Sequence, residues 1–442
     1  MIPVHVRNMF PLVAAAIAVA RGCGAAAPAA KVALTVDARQ AAITHRLRPL
    51  DMGCHSDTGY SHQPMGLHAQ RIYGPSFEAP APVHATTDGT GWVDASSGGG
   101  VGGATLDAKT AFHGFSSEKL SFRGGGGRAA VANRGLGNEG LFFEAGKDYE
   151  GYFWTKALQP AKLTVAIEAW SPRPGEPPRV LASTTVAVAA GDGWAMHSFS
   201  LTPSAGTECI GIEAGGALAR ANNITCPVNG TYNPQGDVSD RSAHVCVRCG
   251  GQFVLSLEGP AGEVNLDYVY MSPGEWGRFA GLPVLAEGVK WLQGMGTSLF
   301  RMGGSFCSGN NYFWKRWRGL PWTRPSAAAA WGHDFEGGWG PFEMVDMANA
   351  MGVEAVITTF AVGDVQVPSA DGARATTRPI TPDDMADLVE YSFGDASTKW
   401  GRMRIEQDQH PAIYNWSYIE LGNEQCECTS QKKASALQLH YM

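Results

Sequence analysis

The sequence has few charged residues and no run of basic side chains. Asp, Glu, Lys and Arg make up 17% of its 442 residues, and the formal net charge is −7. Such a chain has no electrostatic attraction to nucleic acid or to an anionic membrane surface. After residue 20 there is also no apolar run long enough to form a transmembrane helix. The absences therefore predict a soluble protein that binds neither nucleic acid nor membranes.

The first 27 residues predict a secretory signal peptide. Arg7 supplies a positive charge, the segment Phe10–Ala20 is apolar, and small residues follow that offer a cleavage site. Lipid attachment at Cys23 and import into a plastid are the alternatives. The mature protein is therefore expected outside the cytosol, as a secreted or extracellular protein.

Cysteine usage agrees with secretion. Four of the nine cysteines lie in one segment rich in Gly, Asn and Ser: Cys209, Cys226, Cys246 and Cys249. A zinc site built on the CxxC pair would need a second pair at similar spacing, which the other two cysteines do not form. Disulfides are therefore predicted, with the pairing left open, and no metal or other cofactor is expected. Three N-glycosylation sequons begin at Asn223, Asn229 and Asn415.

Hydrophobic patterning divides the mature chain into parts. Residues 28–78 predict N-terminal strands, one of them in Leu47–Asp57. Residues 79–271 contain short alternating runs separated by Gly, Pro and Ser, without helical periodicity, which is typical of an all-β sandwich. We expect this part to fold independently and to expose Trp154 and Trp170, side chains that suit the apolar faces of sugars. The alternative for the 13 tryptophans of the chain is a purely structural role, in which they fill large hydrophobic cores.

Residues 272–442 alternate between predicted strands and predicted helices. The strands are "TSLFRMGG", "VEAVITTF" and "WSYIEL", and the helices are "VLAEGVKWLQGMG", "GPFEMVDMANAMG" and "TPDDMADLVEYSFG". The last helix has Thr381 as its N-cap and Pro382 at its first position. If the Leu47–Asp57 strand joins the same parallel sheet, four strands end in polar or Gly-rich residues, as in a (β/α)8 TIM barrel. The predicted fold class is therefore α/β plus all-β, with about the first four strands of a barrel and an inserted sandwich.

Several stretches resemble the α-L-arabinofuranosidases of glycoside hydrolase family 51. "HPAIYNWSYIELGNE" (His410–Glu424) is similar to the acid/base strand of that family, H-P-x-x-Y-N-x-x-Y-x-E-I-G-N-E. "LFRMGGSF" resembles L-R-F-P-G-G-N-F, and "GLHAQRIYGPSFE" (Gly66–Glu78) resembles G-L-Y-A-E-L-x-x-N-R-S-F-E. Some members carry a carbohydrate-binding-like sandwich where residues 79–271 lie here. The resemblance covers most of the chain, in order.

The resemblance implies catalytic roles at the end of the fourth strand. Glu424 corresponds to the general acid/base, and Asn423 corresponds to the Asn that binds the 2-hydroxyl of the sugar. An Asn–Glu pair by itself is more often part of a surface turn. At the carboxyl end of a barrel strand, however, the two side chains face the site, where a carboxyl group can exchange a proton with the glycosidic oxygen.

The resemblance also implies substrate-binding roles at the ends of the first two strands. Gly303, Gly304 and Ser305 correspond to the Gly-Gly-Asn that lines the sugar subsite, and Asp57 corresponds to a substrate-binding Glu. Ser305 and Asp57 are shorter than the residues that the family has there. The sugar contacts at these two positions are therefore expected to differ.

A retaining glycosidase needs a second carboxylate as nucleophile. In the family it lies at the end of the seventh strand, whereas this sequence ends at Met442, shortly after the fourth. Glu427 is too close in sequence to Glu424 to serve. We therefore expect the nucleophile beyond Met442, and we expect the 442-residue chain alone to hydrolyse no arabinofuranoside.

The predicted function is that of a retaining exo-glycosidase that releases terminal α-L-arabinofuranosyl residues from plant or algal polysaccharides. Its partner would be an arabinose-containing polysaccharide or oligosaccharide. The alternative is a non-catalytic carbohydrate-binding protein with a degenerate barrel remnant. A downstream segment with a Glu at the end of a strand would favour the enzyme.

Overall fold

The structure is a computed structural model, and all residues that it describes lie within one compact unit, Leu47–Met442. The described residues are 53–56, 67–78, 92–98, 102–135, 140–169, 178–213, 245–302, 313–324, 327–328, 334–335, 338–353, 355–359, 364–368 and 375–420. The predicted signal peptide lies outside them. Within this part of the chain, no helix is long and apolar enough to cross a membrane.

Strands form most of the described secondary structure. They are β1 (Gly53–Ser56), β2 (Trp92–Asp94), β3 (Gly103–Asp107), β4 (Ser117–Phe122), β5 (Arg128–Asn133), β6 (Tyr149–Lys156), β7 (Ala161–Ala169), β8 (Arg179–Val188), β9 (Ala195–Leu201), β10 (Cys209–Glu213), β11 (Val245–Cys249), β12 (Gly251–Glu258), β13 (Gly262–Pro273), β14 (Leu299–Met302), β15 (Ala327–Ala328), β16 (Asp334–Phe335), β17 (Ala355–Thr359), β18 (Asp364–Pro368), β19 (Ala375–Pro379) and β20 (Tyr418–Glu420). The helices are α1 (Ala286–Gly294), α2 (Pro341–Met351), α3 (Pro382–Phe393) and α4 (Lys399–Arg402), with a π-helical turn at Met403–Gln407 and 3₁₀ turns at Glu275–Gly277, Trp314–Arg316 and Pro321–Thr323.

Four strands form a parallel sheet in the order β1-β14-β17-β20. The strand in Leu47–Asp57 therefore joins the later strands, as its sequence predicts. In sequence, α1 precedes β14, α2 lies between β14 and β17, and α3 and α4 lie between β17 and β20. One face of the sheet packs on these helices, because Phe300 and Val356 share a buried core with Val345 of α2 and Leu388 of α3.

The helix ends follow the local sequence. Thr381 has an extended backbone and precedes α3, and the Oδ2 atom of Asp384 accepts a hydrogen bond from the Thr381 N–H at 3.0 Å. Helix α2 ends at Met351 and is followed by Gly352, whose φ of +72° favours glycine because glycine has no Cβ. Helix α1 ends at Gly294.

Two five-stranded antiparallel sheets are built from residues that lie between β1 and β14 in sequence. Their orders are β2-β5-β12-β7-β8 and β3-β4-β13-β6-β9. The two sheets share one hydrophobic core, whose members include Trp92, Leu120, Phe153, Val165, Phe253 and Leu266, all fully buried. The alternating runs predicted as strands in this region are strands, since their apolar residues fill this core.

The core of the two antiparallel sheets also receives residues from before position 79. Phe77 is fully buried and stacks on Trp92 with ring centroids 4.7 Å apart, and Ile72 belongs to the same core. We expect a protein of residues 79–271 to fold, and one of residues 70–277 to be more stable by about 2–3 kcal/mol, because it restores buried apolar side chains. Urea denaturation measures the difference. Equal midpoints, or an unfolded 79–271 protein by circular dichroism, would contradict this prediction.

Trp154 does not lie exposed on the sheet. It is half-buried, and its ring stacks on Phe112 with centroids 3.9 Å apart. The expectation of an exposed Trp154 is therefore wrong, because the segment between β3 and β4 supplies Phe112 as a cover. Trp170 lies outside the described residues.

The structure contains a disulfide in the cysteine-rich segment, as predicted from the sequence. Cys209 and Cys249 form a disulfide that joins the paired ends of β10 and β11. The preference for a disulfide is thus confirmed for this pair, while Cys226 lies outside the described residues. Among the side chains that the structure describes, no group of three or more His, Cys, Asp or Glu could hold a metal ion.

Candidate active site

The carboxyl ends of the parallel strands meet at one edge of the sheet. Ser56 pairs with Met302, Met302 pairs with Thr358, and Thr358 pairs with Ile419. Because all four strands run in the same direction, their last residues, Ser56, Met302, Thr359 and Glu420, lie at the same edge. In barrel enzymes this edge carries the chemistry.

The six predicted site residues lie outside the described residues. They are Asp57, Gly303, Gly304, Ser305, Asn423 and Glu424. What the structure describes is the last strand residue before each group, namely Ser56, Met302 and Glu420. These three residues end strands of one parallel sheet and lie at a common edge of it.

The face of the sheet opposite the helices carries an ion pair. Glu420 Oε2 accepts hydrogen bonds from Arg301 Nε at 2.8 Å and from Arg301 Nη2 at 2.7 Å. The pair spans β17, because Arg301 lies on β14 and Glu420 on β20. Both side chains are only partly exposed, so the charge-assisted contact fixes the end of β20 relative to β14.

Arg301 and Glu420 were not among the site residues predicted from the sequence. The available signal was a charged residue inside each of two otherwise apolar strands, "LFRM" and "YIEL". Both occur within the motifs that carried the family resemblance. Neither strand by itself indicates that its charged residue meets the opposite charge on the other strand.

The segment before β20 is held at several points. His410 Nε2 contacts Asp346 Oδ2 at 3.0 Å, and the His410 ring stacks on Tyr414 with centroids 4.1 Å apart. Burial lowers the pKa of His410, but the hydrogen bond and charge of Asp346 outweigh it and raise the pKa overall. The Ser417 hydroxyl accepts a hydrogen bond from the Val356 N–H at 3.0 Å, so β20 begins at a fixed place beside β17.

A buried arginine organises the same segment. Arg404 is 1% exposed and donates only to backbone carbonyls. Its Nε and Nη2 atoms reach the carbonyls of Tyr391 and Gly394 at the end of α3, and its Nη1 atom reaches the carbonyls of residues 410–412. One side chain therefore ties the end of a helix to the chain that leads into β20.

Residues 313–324, which follow β14 in sequence, are held by ion pairs. Arg324 is almost completely buried and contacts Glu343 of α2 through Nη2 and Oε1 at 2.5 Å. Arg318 Nη1 lies 2.8 Å from Oδ1 of Asp408, a carboxylate that also accepts a hydrogen bond from the Tyr391 hydroxyl. The segment is thereby fixed to the helices on either side of it.

A histidine connects this segment to the antiparallel sheets. The Nε2 atom of His113 donates to the carbonyl of Arg324 at 2.6 Å, since a carbonyl oxygen can only accept. In the neutral ring, Nδ1 then accepts from the Ser76 hydroxyl at 2.6 Å. Burial lowers the pKa of His113 to about 4. Burial also raises the pKa of the adjoining Asp267 to about 8, against the hydrogen bonds that it accepts from backbone N–H groups.

Acidification is expected to weaken this junction through His113. Between a folded-state pKa of about 4 and the ordinary value of 6.5, the unfolded chain binds more protons, so the free energy of unfolding falls as the pH is lowered through that window. The loss is up to about 3 kcal/mol. A His113→Gln protein should lose less stability between pH 6.5 and pH 4, as measured by urea denaturation. Because Asp267 is present in both proteins, its opposite slope cancels in the comparison, and identical pH slopes would contradict the prediction.

Comparison with known proteins agrees with this architecture. Residues 291–437 match the family described as "Alpha-L-arabinofuranosidase 1 domain". The chain is 24% identical over 365 residues to the extracellular exo-alpha-L-arabinofuranosidase of Streptomyces chartreusis, an alignment that covers 81% of this chain and 38% of that protein. It superposes on an arabinose-bound GH51 α-L-arabinofuranosidase with a TM-score of 0.61 and 18% identity, over 88% of this chain and 57% of the other.

The chain thus spans well under two thirds of the length of either relative. The family match falls on the part that contains β14, β17, β20 and the motif ending in Glu424. The structural match shows a shared fold over most of the described chain. Together these findings confirm the predicted resemblance of this chain to the α-L-arabinofuranosidases of glycoside hydrolase family 51.

Proposed function

We propose that this chain is part of a retaining exo-α-L-arabinofuranosidase that releases terminal α-L-arabinofuranosyl residues from plant or algal polysaccharides. The observation that carries the proposal is the match of residues 291–437 to an arabinofuranosidase domain, in a region where parallel strands end at one edge. We assign β1, β14, β17 and β20 to the first four strands of a (β/α)8 barrel. The two antiparallel sheets, which run from β2 to β13 in sequence, are then a carbohydrate-binding-like sandwich inserted between the first and second strands.

In this proposal Glu424 is the general acid/base. Glycosidic cleavage with retention needs one carboxyl group that protonates the leaving oxygen and a second carboxylate that attacks the sugar. Glu424 would give its proton as the bond breaks and take a proton from water as the glycosyl-enzyme is hydrolysed. Its neighbour Asn423 would bind the 2-hydroxyl of the same sugar.

The remaining predicted residues complete the sugar subsite. Gly303 and Gly304 leave room for the sugar at the end of β14, while Ser305 and Asp57 offer short side chains that hydrogen-bond its hydroxyl groups. Arg301 is a positioning residue in this scheme, because its contact with Glu420 fixes β20 four residues before Glu424. A carboxyl group that works on both steps must be held within a few tenths of an ångström, which rigid strands do better than loops.

Secretion is part of the proposal. It is supported by the signal-peptide pattern of residues 1–27 and by the disulfide Cys209–Cys249, which is typical of proteins from oxidising compartments. The side chain of Asn415 is exposed, so its sequon is accessible to a glycosylating host. The sequons at Asn223 and Asn229 lie outside the described residues.

The proposal is tested with the complete gene product that contains this chain. We expect it to hydrolyse an aryl α-L-arabinofuranoside and to release arabinose from arabinoxylan or arabinan, with the α-anomer formed first in proton NMR spectra. An aryl α-L-arabinopyranoside serves as a matched control, because it presents the same sugar in a different ring size. Absence of turnover, or formation of the β-anomer first, would contradict the assignment. Polymer binding without turnover would favour the carbohydrate-binding alternative.

A further inference from the structure

A pocket of about 520 Å³ lies on the outward face of the sheet β3-β4-β13-β6-β9. This volume falls within the roughly 300–1,000 Å³ that is usual for small-molecule sites. Its floor is made by side chains on three neighbouring strands, β13, β6 and β9. The inward-facing residues of the same strands fill the core of the two sheets, so the floor of the pocket is rigidly supported.

Two rows of residues form the floor. In the first row, Tyr270 of β13 pairs with Tyr152 of β6, which pairs with Ser198 of β9. In the next, Ser272, Glu150 and Ser200 follow in the same strand order. Strand pairing therefore places an aromatic row directly beside a row of hydroxyl and carboxylate groups.

The aromatic row offers apolar surface with polar edges. The rings of Tyr152 and Tyr270 are nearly parallel, 15° apart, with centroids separated by 5.1 Å. Trp322 packs edge-on against Tyr152 with centroids 5.0 Å apart. Tyrosine and tryptophan suit ligands that present both C–H faces and hydroxyl groups, because each has an apolar ring and one hydrogen-bonding atom.

The polar row is balanced in charge. Arg278 Nη2 lies 3.0 Å from Glu150 Oε2, so the two charges of the pocket neutralise each other. A neutral ligand can still use both groups, because a carboxylate accepts and a guanidinium donates hydrogen bonds. Ser198 and Ser200 are exposed and can do either. This chemistry fits vicinal hydroxyl groups better than a phosphate or a carboxylate.

One buried polar atom of the lining lacks a hydrogen-bond partner. It is the Nε atom of Arg278, whose Nη2 atom contacts Glu150. An unpaired buried donor is unfavourable, so a ligand hydroxyl that reaches this atom after a small side-chain adjustment would gain by accepting its hydrogen bond.

The pocket borders the segment that follows the second parallel strand. Trp322 belongs to the described part of that segment, residues 313–324, and its contact with Tyr152 places the pocket beside it. We propose that this pocket binds a neutral polysaccharide chain, separately from the candidate active site. The identity of this polysaccharide as an arabinose-bearing backbone rests on the proposed function. The presence of a glycan site does not.

The test blocks the pocket without altering the core. Ser200→Trp places a bulky ring at the exposed edge of the floor, and Ser183→Trp makes the same change at an exposed serine on β8, the edge strand of the other sheet. Binding of the purified 442-residue chain to soluble arabinoxylan, arabinan and galactan is measured by affinity electrophoresis and titration calorimetry, with dextran sulfate as a charged comparison. Circular dichroism shows whether each variant is folded.

We expect the chain to bind at least one of the neutral polymers. Ser200→Trp should weaken that binding at least about tenfold, while Ser183→Trp should leave it unchanged. Glu150→Gln, which keeps the shape of the side chain but removes its charge, should weaken binding to a smaller extent. Absence of binding to every neutral polymer, preference for dextran sulfate, or equal affinities of the two Trp variants would overturn the proposal.

This result is independent of turnover. The chain could bind polymer and lose this binding in Ser200→Trp, while the complete gene product hydrolyses no arabinofuranoside. That result would support the glycan site and contradict the proposed hydrolase activity. Hydrolysis of an aryl arabinofuranoside without polymer binding by the chain would support the hydrolase activity and contradict the glycan site.

Discussion

Replacing Glu424 with Ala in the complete enzyme is expected to reduce hydrolysis of natural arabinosides about 10²–10⁴-fold, the usual contribution of acid/base catalysis. The loss should be smaller for the first step with an activated aryl leaving group, because such a group departs with little help from an acid. Hydrolysis of the glycosyl-enzyme should then become slow. Azide, which attacks without a general base, should restore turnover and yield a glycosyl azide.

The measurement compares aryl and natural substrates with and without azide. Glu427→Ala is the matched control, because it removes the same carboxyl group three residues later in the same segment. It should leave both activities nearly unchanged. Equal losses of Glu424→Ala on both substrate types, without azide rescue, would mean that Glu424 is not the acid/base.

The pKa of Glu424 should also change during the cycle. A carboxylate nucleophile nearby, while charged, favours the protonated acid, and formation of the covalent bond removes that charge. The acid limb of the pH–rate profile should therefore report the nucleophile, and its basic limb should report Glu424. The basic limb should disappear in Glu424→Ala when azide is the acceptor.

Arg404→Ala is expected to lower the free energy of unfolding by about 3–5 kcal/mol. The substitution leaves the carbonyls of Tyr391, Gly394 and residues 410–412 without their shared donor, and a carbonyl left unpaired costs about 1–3 kcal/mol where water cannot reach it. Partial relaxation and entry of water keep the total below the simple sum. Urea denaturation of the 442-residue chain measures the loss.

Arg402→Ala is the matched control for Arg404. Arg402 lies two residues earlier, is exposed, and donates to one carbonyl, that of Ala396. It should cost less than about 1 kcal/mol. Arg404→Lys should fall between the two, because an ammonium group keeps the charge but cannot reach carbonyls on both sides. Similar losses for Arg404→Ala and Arg402→Ala would show that the carbonyl contacts contribute little.

Local chemistry made the helices predictable. Thr381 and Pro382 begin α3, and Gly294 and Gly352 lie at the ends of α1 and α2, because capping and glycine conformations depend on a few adjacent residues. The strands around the shared core were equally readable, since alternation of apolar side chains is itself a local pattern. The family motifs also indicated a function, because a motif keeps the residues that take part in a reaction at a fixed spacing in the sequence.

The cover on Trp154 was not predictable in this way. An alternating strand shows which side chains leave the core, but it does not show what packs on them from outside. Phe112 lies in a different segment, between β3 and β4, and only the folded chain brings its ring to 3.9 Å from the tryptophan. The same applies to Trp322 and Tyr152, whose contact joins two regions that the sequence treats as separate.

By itself, the sequence determined that strands and helices alternate after residue 272, that alternating strands precede them, and that the motif at residues 410–424 resembles an acid/base strand. The tertiary structure decided that β1 pairs with β14, that Arg301 meets Glu420, and that three antiparallel strands align Tyr152, Glu150 and their neighbours into a pocket. The reason is that strand register and pairing depend on contacts between residues far apart in the chain. No local pattern records those contacts, whereas periodicity, caps and motif spacing are written in neighbouring residues.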